Sequence, residues 1–262
     1  GSGAPPDLHS SPTPRASDPL RLAKGRTSKS VSYTEIATTG VETLFTQRAA
    51  MRQGIDLLNS LPVSLRLLRE VHKVLMQGVR GSRDLPGEFR EGQNYIQDRP
   101  GGPIHSARFV PPPKTEMETA LNDFEVFLNR EPSPNSLPEL VKMALIHYQF
   151  ETIHPFRDGN GRIGRLLIPL LMIAKGRIDG PILYLSGYLE RNRESYMDYM
   201  LRVSETGDWI SWIDFFLRGV GECSIEANSQ ALTLLDLRVK YHRTFQRAGS
   251  SARLIRLIDQ LF

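Results

Sequence analysis

The sequence has only one cysteine, Cys223, among its 262 residues. A single cysteine cannot form an internal disulfide, which excludes a small secreted domain held by disulfides and favours a reducing compartment. The sequence also lacks an apolar run long enough to cross a bilayer. The longest run, at 163–174, is interrupted by the charged Arg165. We therefore expect a cytoplasmic protein with no membrane partner.

Dense charge of one sign is also missing. The chain has 33 Lys and Arg against 29 Asp and Glu, a formal net charge of +4, with no basic tract. This pattern does not support DNA binding, and predicts only weak attraction to polyanions such as nucleotides. The apolar content of 40% is enough for one sizeable core.

The most informative segment is 154–165, His-Pro-Phe-Arg-Asp-Gly-Asn-Gly-Arg-Ile-Gly-Arg. Gly159 and Gly161 allow a tight turn that aims backbone N–H groups at an anion. Helix-forming residues follow to position 174, so the turn is expected at a helix N-terminus, where unpaired N–H groups and the helix dipole favour a polyphosphate. Arg162 and Arg165, three residues apart, would rise from one face and grip the same phosphate chain.

Two other side chains of this segment predict the chemistry. His154 has a near-neutral pKa and can take a proton from an incoming hydroxyl. Asp158 is a hard oxygen ligand suited to a magnesium ion that bridges phosphate oxygens. Phe156 is expected to pack beside the turn and fix the base. The segment therefore indicates a reaction at a phosphate.

The segment matches every fixed position of the Fic-domain signature, His-x-Phe-x-Asp/Glu-Gly-Asn-Gly-Arg-x-x-Arg, and the chain resembles this family from about residue 38 onward. The resemblance implies a mainly α fold, a helical bundle with a β-hairpin flap over the active site. It implies an enzyme, a protein adenylyltransferase that moves AMP from ATP to a Tyr, Thr or Ser hydroxyl of a target protein, and of itself, and releases pyrophosphate. The phosphates would be bound by Gly159, Asn160, Gly161, Arg162 and Arg165, with Mg²⁺ on Asp158.

Gly161 bears on which group is transferred. Phosphorylating relatives that resemble Doc toxins have Lys at this position, whereas Gly leaves room for the β-phosphate in the orientation that exposes the α-phosphorus. This difference favours AMP transfer. Transfer of UMP or phosphocholine by related Fic enzymes stays open. A binding protein that keeps the motif without turnover is less favoured, because no motif residue is altered.

A β-hairpin is predicted between residues 95 and 110, where Tyr95-Ile96 and 108–110 flank Gly101-Gly102-Pro103. In Fic proteins such a hairpin forms the flap, which aligns the target protein by strand pairing. An extended edge here could add a strand from a partner. The edge that the resemblance implies consists of Ile104, His105, Ser106, Ala107, Arg108 and Phe109.

Two further contacts follow from the resemblance. Segment 193–197 is similar to the family segment that packs near adenine, which implies nucleotide contacts by Tyr196 and Met197. Segment 38–43 partly matches the inhibitory pattern Ser/Thr-x-x-x-Glu-Gly/Asn, although Thr43 replaces Gly or Asn. In many Fic proteins that glutamate pairs with the second motif arginine and blocks productive binding of the γ-phosphate. The resemblance thus implies autoinhibition by Glu42 through Arg165.

A metal hydrolase is a competing interpretation of the same region. His147, Glu151 and His154 are spaced so that all three could face one zinc or iron ion from a single helix. The zincin pattern His-Glu-x-x-His is absent, and Pro155 places His154 at the helix end. The Gly-Asn-Gly turn would also have no role, so we favour the phosphate chemistry.

We divide the chain into four parts: a flexible tail with an expression scar at 1–28, an N-terminal helical region at 29–60 with the possible inhibitory helix, a Fic catalytic core at 61–220, and a C-terminal helical extension at 221–262. Helices are predicted at 33–59, 64–78, 114–129, 137–152, 164–174, 191–206, 209–220 and 225–262, the last with a break near Gly249. Similar bacterial proteins often continue into a winged-helix domain, so we expect a truncated longer protein.

Overall fold

The computed structural model describes residues 33–77, 85–97, 103–131, 133–134, 136–247, 253 and 256, with side chains described from Leu44 onward. One compact unit comprises Thr39–Phe262, and a second comprises Gly1–Thr38, of which only 33–38 are described. The predicted flexible tail at 1–28 lies outside the described residues.

The described part of the chain contains eight α-helices, which confirms a mainly α fold. Their bounds, in chain order, are α1 Tyr33–Leu58, α2 Leu65–Leu75, α3 Lys114–Leu128, α4 Glu139–Ile153, α5 Asn160–Ala174, α6 Leu185–Arg191, α7 Arg193–Thr206 and α8 Trp209–Arg247. No described helix combines the length and the apolar character needed to cross a membrane.

The start of α2 shows how the sequence sets a boundary. Ser64 is the N-cap, and its hydroxyl accepts a hydrogen bond from the backbone N–H of Leu67 at 3.3 Å. Leu68, Val71 and Leu75 then recur at helical spacing, and all three are buried. α2 therefore begins where the sequence predicts and turns an apolar stripe toward the core.

The core is built around α4, which is apolar over most of its surface. It packs against α3, α5 and α8, while α5 also contacts α2. α6 and α7 contact each other, and both pack on α8. A helix that is apolar on several faces must be covered on those faces, so α4 lies at the centre of the helical bundle. Its C-terminal end delivers the His154 segment, and α5 carries the chain back beside it.

Three helix predictions differ from the structure. α5 begins at Asn160, before its predicted start at position 164. α6 was not predicted, and α8 is one continuous helix where the sequence suggested separate helices at 209–220 and 225–262. Gly219 lies inside α8 at its contact with α6, where an added β-carbon would be 2.5 Å from the ring of Tyr188. This glycine permits a close helix–helix approach and does not mark a helix end. The predicted break near Gly249 lies outside the described residues.

The predicted hairpin is not confirmed as a pair of strands. Within 85–97 and 103–110, a single antiparallel bridge joins Ile96 and Phe109, where the Ile96 N–H donates to the Phe109 carbonyl at 2.9 Å. The prediction of an extended edge from Ile104 to Phe109 is wrong for its first half. Ile104, His105 and Ser106 form one turn of 3₁₀ helix. Its bond from the Ala107 N–H to the Ile104 carbonyl uses groups that an extended edge would offer to a partner.

Candidate active site

His154 lies at the C-terminal end of α4 in a left-handed backbone conformation, with φ of 50°. Few residues other than glycine adopt this conformation, so surrounding contacts must hold it. The Arg90 side chain, which is only 4% exposed, donates from Nε to the His154 carbonyl at 3.0 Å. The Arg90 N–H also donates to the Pro155 carbonyl at 2.8 Å. Arg90 therefore fixes the turn that presents His154, a role that the sequence did not reveal.

The His154 ring is held in one tautomer. Nδ1 lies 3.1 Å from the Glu151 carbonyl oxygen, and because a carbonyl only accepts, Nδ1 carries the proton and donates. Nε2 is then the acceptor of the ring. Burial lowers the pKa of His154 to about 4, which keeps the imidazole neutral at physiological pH. A neutral imidazole with Nε2 as an acceptor has the form that a general base requires.

Phe156 anchors the loop that follows His154. Its ring is fully buried and stacks on His72 with ring centroids 3.8 Å apart, which confirms its predicted packing role. The buried Asn160 side chain binds the same residue at both backbone groups. Its Oδ1 accepts from the Phe156 N–H at 2.8 Å, and its Nδ2 donates to the Phe156 carbonyl at 2.7 Å. The Asn160 side-chain amide thus closes the loop between His154 and α5.

His72, on α2, links the loop to the segment around Gly87 through hydrogen bonds of its two ring nitrogens. Its Nδ1 accepts from the Gly87 N–H at 2.9 Å, so Nε2 carries the proton and donates to the Asp158 carbonyl at 3.0 Å. Both ring nitrogens of His72 therefore have hydrogen-bond partners. Gly159 follows with φ of 82°, and a β-carbon there would lie 3.2 Å from both His72 Nε2 and Met76 Sδ. Gly159 is needed for its conformation and for this close approach.

α5 begins at Asn160, with Gly159 as its N-cap and with no side-chain cap. The first N–H groups of a helix have no intrahelical partner, so this end of α5 has donors of the kind that bind anions. Asp158 and Arg162 flank this end and form an ion pair of 3.1 Å between Oδ2 and Nη2. The other Asp158 oxygen accepts from the Gly159 N–H at 2.6 Å. The carboxylate is exposed to solvent.

A cavity of about 260 Å³ opens beside this loop. It brings together several residues that are far apart in sequence. The predicted site residues that line the cavity are His154, Gly161, Arg165, Tyr196, Met197, Arg108 and Phe109. Asp158, Gly159, Asn160 and Arg162 do not line this cavity, and neither do Ile104, His105, Ser106 and Ala107. Gly161 is the point where the loop between His154 and α5 meets the cavity.

Gly161 and Arg165 are close neighbours in this cavity. A β-carbon on Gly161 would lie 3.2 Å from Arg165 Nη1. Within the described ranges, the Arg165 guanidinium forms no ion pair or hydrogen bond. It lies beside the N-terminus of α5, where a guanidinium can donate hydrogen bonds to an anion.

The metal hydrolase interpretation is wrong for the described residues. No cluster of three His, Cys, Asp or Glu side chains there could hold a metal ion. His147 is fully buried and uses both ring nitrogens, since Nδ1 donates to the Gly164 carbonyl at 3.1 Å and Nε2 accepts from the Tyr196 hydroxyl at 3.0 Å. Burial lowers the pKa of His147 to about 4, as expected for a neutral ring in the core.

Tyr196 and Met197 lie on α7 and line the cavity. The Tyr196 ring is buried and packs near Trp212 and His147, so it forms part of the cavity wall. Glu42, by contrast, falls within α1, but its side chain lies outside the described residues. The predicted ion pair between Glu42 and Arg165 is therefore not tested by the structure.

A comparison with protein families identifies the motif region. The model of the Fic/DOC family matches residues 62–172, which include α2 to α4 and most of α5. Protein adenylyltransferase Fic from Drosophila grimshawi is 31% identical over 169 residues, which cover 64% of this chain and 30% of that protein. The protein of the same name from Culex quinquefasciatus is 33% identical over 162 residues, covering 62% of this chain and 28% of that protein. The chain thus spans less than a third of these curated relatives.

Solved structures show the same fold. A Fic family protein from Desulfovibrio desulfuricans G20 superimposes with a TM-score of 0.54 at 21% identity, over 77% of this chain and 68% of that one. Fic-1 from C. elegans gives a TM-score of 0.51 at 23% identity, over 70% of this chain and 51% of that one. At this identity the likeness is one of fold.

Proposed function

Because residues 62–172 match the model of the Fic/DOC family, we propose that this chain transfers AMP from ATP to a Tyr, Thr or Ser hydroxyl of a target protein, and to itself, and releases pyrophosphate. The observation that carries the proposal is that His154, Gly161 and Arg165 line one cavity at the N-terminus of α5. The proposed base, the helix end proposed to bind phosphate, and the Arg165 guanidinium therefore line the same cavity.

His154 is the proposed general base. Its Nδ1–H is bound by the Glu151 carbonyl, so Nε2 can accept the proton of the attacking hydroxyl. The hydroxyl oxygen attacks the α-phosphorus, the bond from that phosphorus to the β-phosphate oxygen breaks, and pyrophosphate leaves. The left-handed turn and the Arg90 contact hold the ring in place before the substrate arrives, which reduces the reorganisation needed in the transition state.

The phosphates are bound at the start of α5. The backbone N–H groups of Gly159, Asn160 and Gly161 are proposed donors, although the Gly159 N–H contacts the Asp158 carboxylate in this structure and would have to exchange that partner. Arg162 and Arg165 neutralise the charge that develops on the leaving pyrophosphate. The Arg162–Asp158 ion pair keeps that guanidinium beside the helix end.

The residues present fit a magnesium ion. Asp158 is an exposed carboxylate at the helix end, and Mg²⁺ is commonly held by one or two carboxylates together with substrate phosphates. When bound, Mg²⁺ would supply charge neutralisation across phosphate oxygens. Asp158 is the proposed ligand, and its ion pair with Arg162 would loosen or be shared as the metal and the phosphates arrive.

Three finer assignments extend the proposal. Glu42 of α1 is the proposed inhibitory residue, acting on Arg165 so that the γ-phosphate cannot bind productively. The target protein is proposed to dock along Ala107, Arg108 and Phe109, because Phe109 already pairs with Ile96 and both lie at the cavity wall. Tyr196 and Met197 are proposed to contact adenine from α7.

Incubation with ATP and Mg²⁺ followed by intact-mass spectrometry tests the proposal. The expected result is an added AMP mass on the chain or on an offered protein substrate. Parallel incubations with UTP and with CDP-choline cover the two other donors that related enzymes use. An adduct formed only with one of these would replace AMP as the transferred group, and the absence of any adduct with all three donors, on the chain itself and on candidate targets, would contradict the proposed transferase.

A further inference from the structure

Glu151 has a buried carboxyl group in the wall of the candidate active site. Its side chain is 7% exposed and lines the same cavity as His154, Gly161 and Arg165. Its Oε1 has no hydrogen-bond partner in the described part of the chain. A buried carboxyl oxygen without a partner costs free energy, so a ligand that supplies a donor would relieve that cost.

The fold makes specific room for this carboxyl group. A β-carbon on Gly164 would overlap Oε1 of Glu151 and lie 3.1 Å from its Cδ. Gly164 is inside α5, where glycine is less favourable than alanine. The helix therefore carries an unfavourable residue at a position where a side chain would displace the carboxyl group.

The position of the carboxyl group indicates which part of a nucleotide it meets. A β-carbon on Gly161 would be 3.2 Å from Arg165 Nη1 and 4.0 Å from Glu151 Oε1, so the guanidinium and the carboxyl group flank the same point. The Glu151 backbone carbonyl also binds the His154 ring. The carboxyl group is thus close to the place where the reacting phosphate is expected, and a phosphate itself would be repelled by a carboxylate.

We propose that Glu151 binds a ribose hydroxyl of the nucleotide and makes the site specific for ribonucleotides. This inference rests on the proposed function, since it takes the ligand to be a nucleoside triphosphate. The 2′ and 3′ hydroxyls are the donors closest to the α-phosphate, whereas the amino group of adenine lies farther along the molecule. Acidic residues bind ribose hydroxyls in the same way in dinucleotide-binding folds.

The protonation of Glu151 is compatible with this role. Burial raises the pKa of the Glu151 carboxyl to about 7, and Arg165 acts in the opposite direction. A hydroxyl group both donates and accepts, so it can pair with either form of the carboxyl, whereas an amino group requires an acceptor. A sugar hydroxyl is therefore the better match to this side chain.

The test measures the affinities of ATP, 2′-deoxyATP and 3′-deoxyATP by calorimetry in a His154→Ala background, where turnover is removed. With Glu151 present, at least one deoxy analogue should bind about tenfold or more weakly than ATP, because a site built to bind a hydroxyl discriminates against its loss. Glu151→Met should bring that ratio to within about twofold, and Glu151→Gln, which keeps an acceptor and the shape, should retain part of it.

Three outcomes would overturn the inference. The first is that neither deoxy analogue binds more weakly than ATP, and the second is that Glu151→Met keeps the original ratio. The third is that Glu151→Met instead changes the preference between ATP and its analogue without the adenine amino group, which would place the carboxyl at the base. Nucleotide binding without any AMP adduct in the intact-mass experiment would contradict the proposed function alone, and an absence of nucleotide binding would contradict both.

Discussion

Asn160 binds both backbone groups of Phe156 with its side-chain amide, at 2.8 Å and 2.7 Å. These two hydrogen bonds, both made by the Asn160 side chain, hold the loop between His154 and α5 closed. Phe156 is in turn stacked on His72, which donates to the Asp158 carbonyl. The loop is therefore positioned by buried contacts on both sides, and its backbone needs little rearrangement to meet a phosphate.

Replacing Asn160 should show the strength of this closure. Asn160→Ala removes two buried hydrogen bonds and leaves the Phe156 groups without partners, so we expect a loss of about 2–4 kcal/mol in the free energy of unfolding, measured by urea denaturation. Asn129→Ala is the matched control, because Asn129 makes an exposed bond to the Glu125 carbonyl, and should cost less than about 0.5 kcal/mol. Equal losses in the two variants would contradict a structural role for Asn160.

Much of this loop could be predicted from the sequence, because its signals are local. The glycine turn and its place at the N-terminal end of α5 depend on residues within a few positions of one another. The Arg90 and His72 contacts could not be predicted in this way, since they join the loop to residues 64 and 86 positions away. The three-dimensional structure is needed to show which distant polar groups bind the backbone carbonyls of this loop.

The errors have the same origin. The sequence predicted a helix end at position 220, but α8 continues past it, and Gly219 inside this helix permits the close contact with Tyr188. The metal hydrolase alternative rested on the spacing of three side chains along one helix. In the structure, both ring nitrogens of His147 already bind Tyr196 and Gly164. Spacing along a helix predicts which face a residue lies on. It does not predict which hydrogen-bond partners other helices supply at that face.

The contact between Gly164 and Glu151 can be tested by a double-mutant cycle. Gly164→Ala alone should destabilise the protein by about 1–3 kcal/mol, because the new methyl group overlaps the Glu151 carboxyl, despite the better helix propensity of alanine. In a Glu151→Ala background the same change should be neutral or stabilising. Thermal and urea unfolding of the four proteins measure the coupling, and an identical effect of Gly164→Ala in both backgrounds would show that the two residues do not interact.

The pH dependence of the reaction follows from the burial of His154. Its pKa is lowered to about 4, from a usual value of 6.5, so the neutral base is present above about pH 5 and is lost as the pH falls through 4. The rate of AMP transfer, measured with circular dichroism as a control for folding, should keep its His154-dependent part between pH 8 and 5. An acidic limb centred near pH 6.5 that is independent of Mg²⁺ concentration and persists in Glu151→Gln would contradict a desolvated His154.

Autoinhibition can be examined on α1 itself. Glu42→Gly should raise self-modification by about tenfold, the change that a coupling free energy of ~1.4 kcal/mol gives. Glu35→Gly places the same helix-weakening residue in the same helix and should leave the rate close to that of the original protein. Equal rates in the two variants would remove Glu42 from the control of this site.

The central claim is that His154 removes a proton from a protein hydroxyl while the chain transfers AMP, and intact-mass spectrometry after incubation with ATP and Mg²⁺ tests it most directly. We expect an AMP adduct on the unaltered chain and on a His242→Ala control, whose substitution lies near the far end of α8. We expect no adduct on His154→Ala, although calorimetry should show that this variant still binds ATP. An adduct of similar yield on His154→Ala would contradict the account.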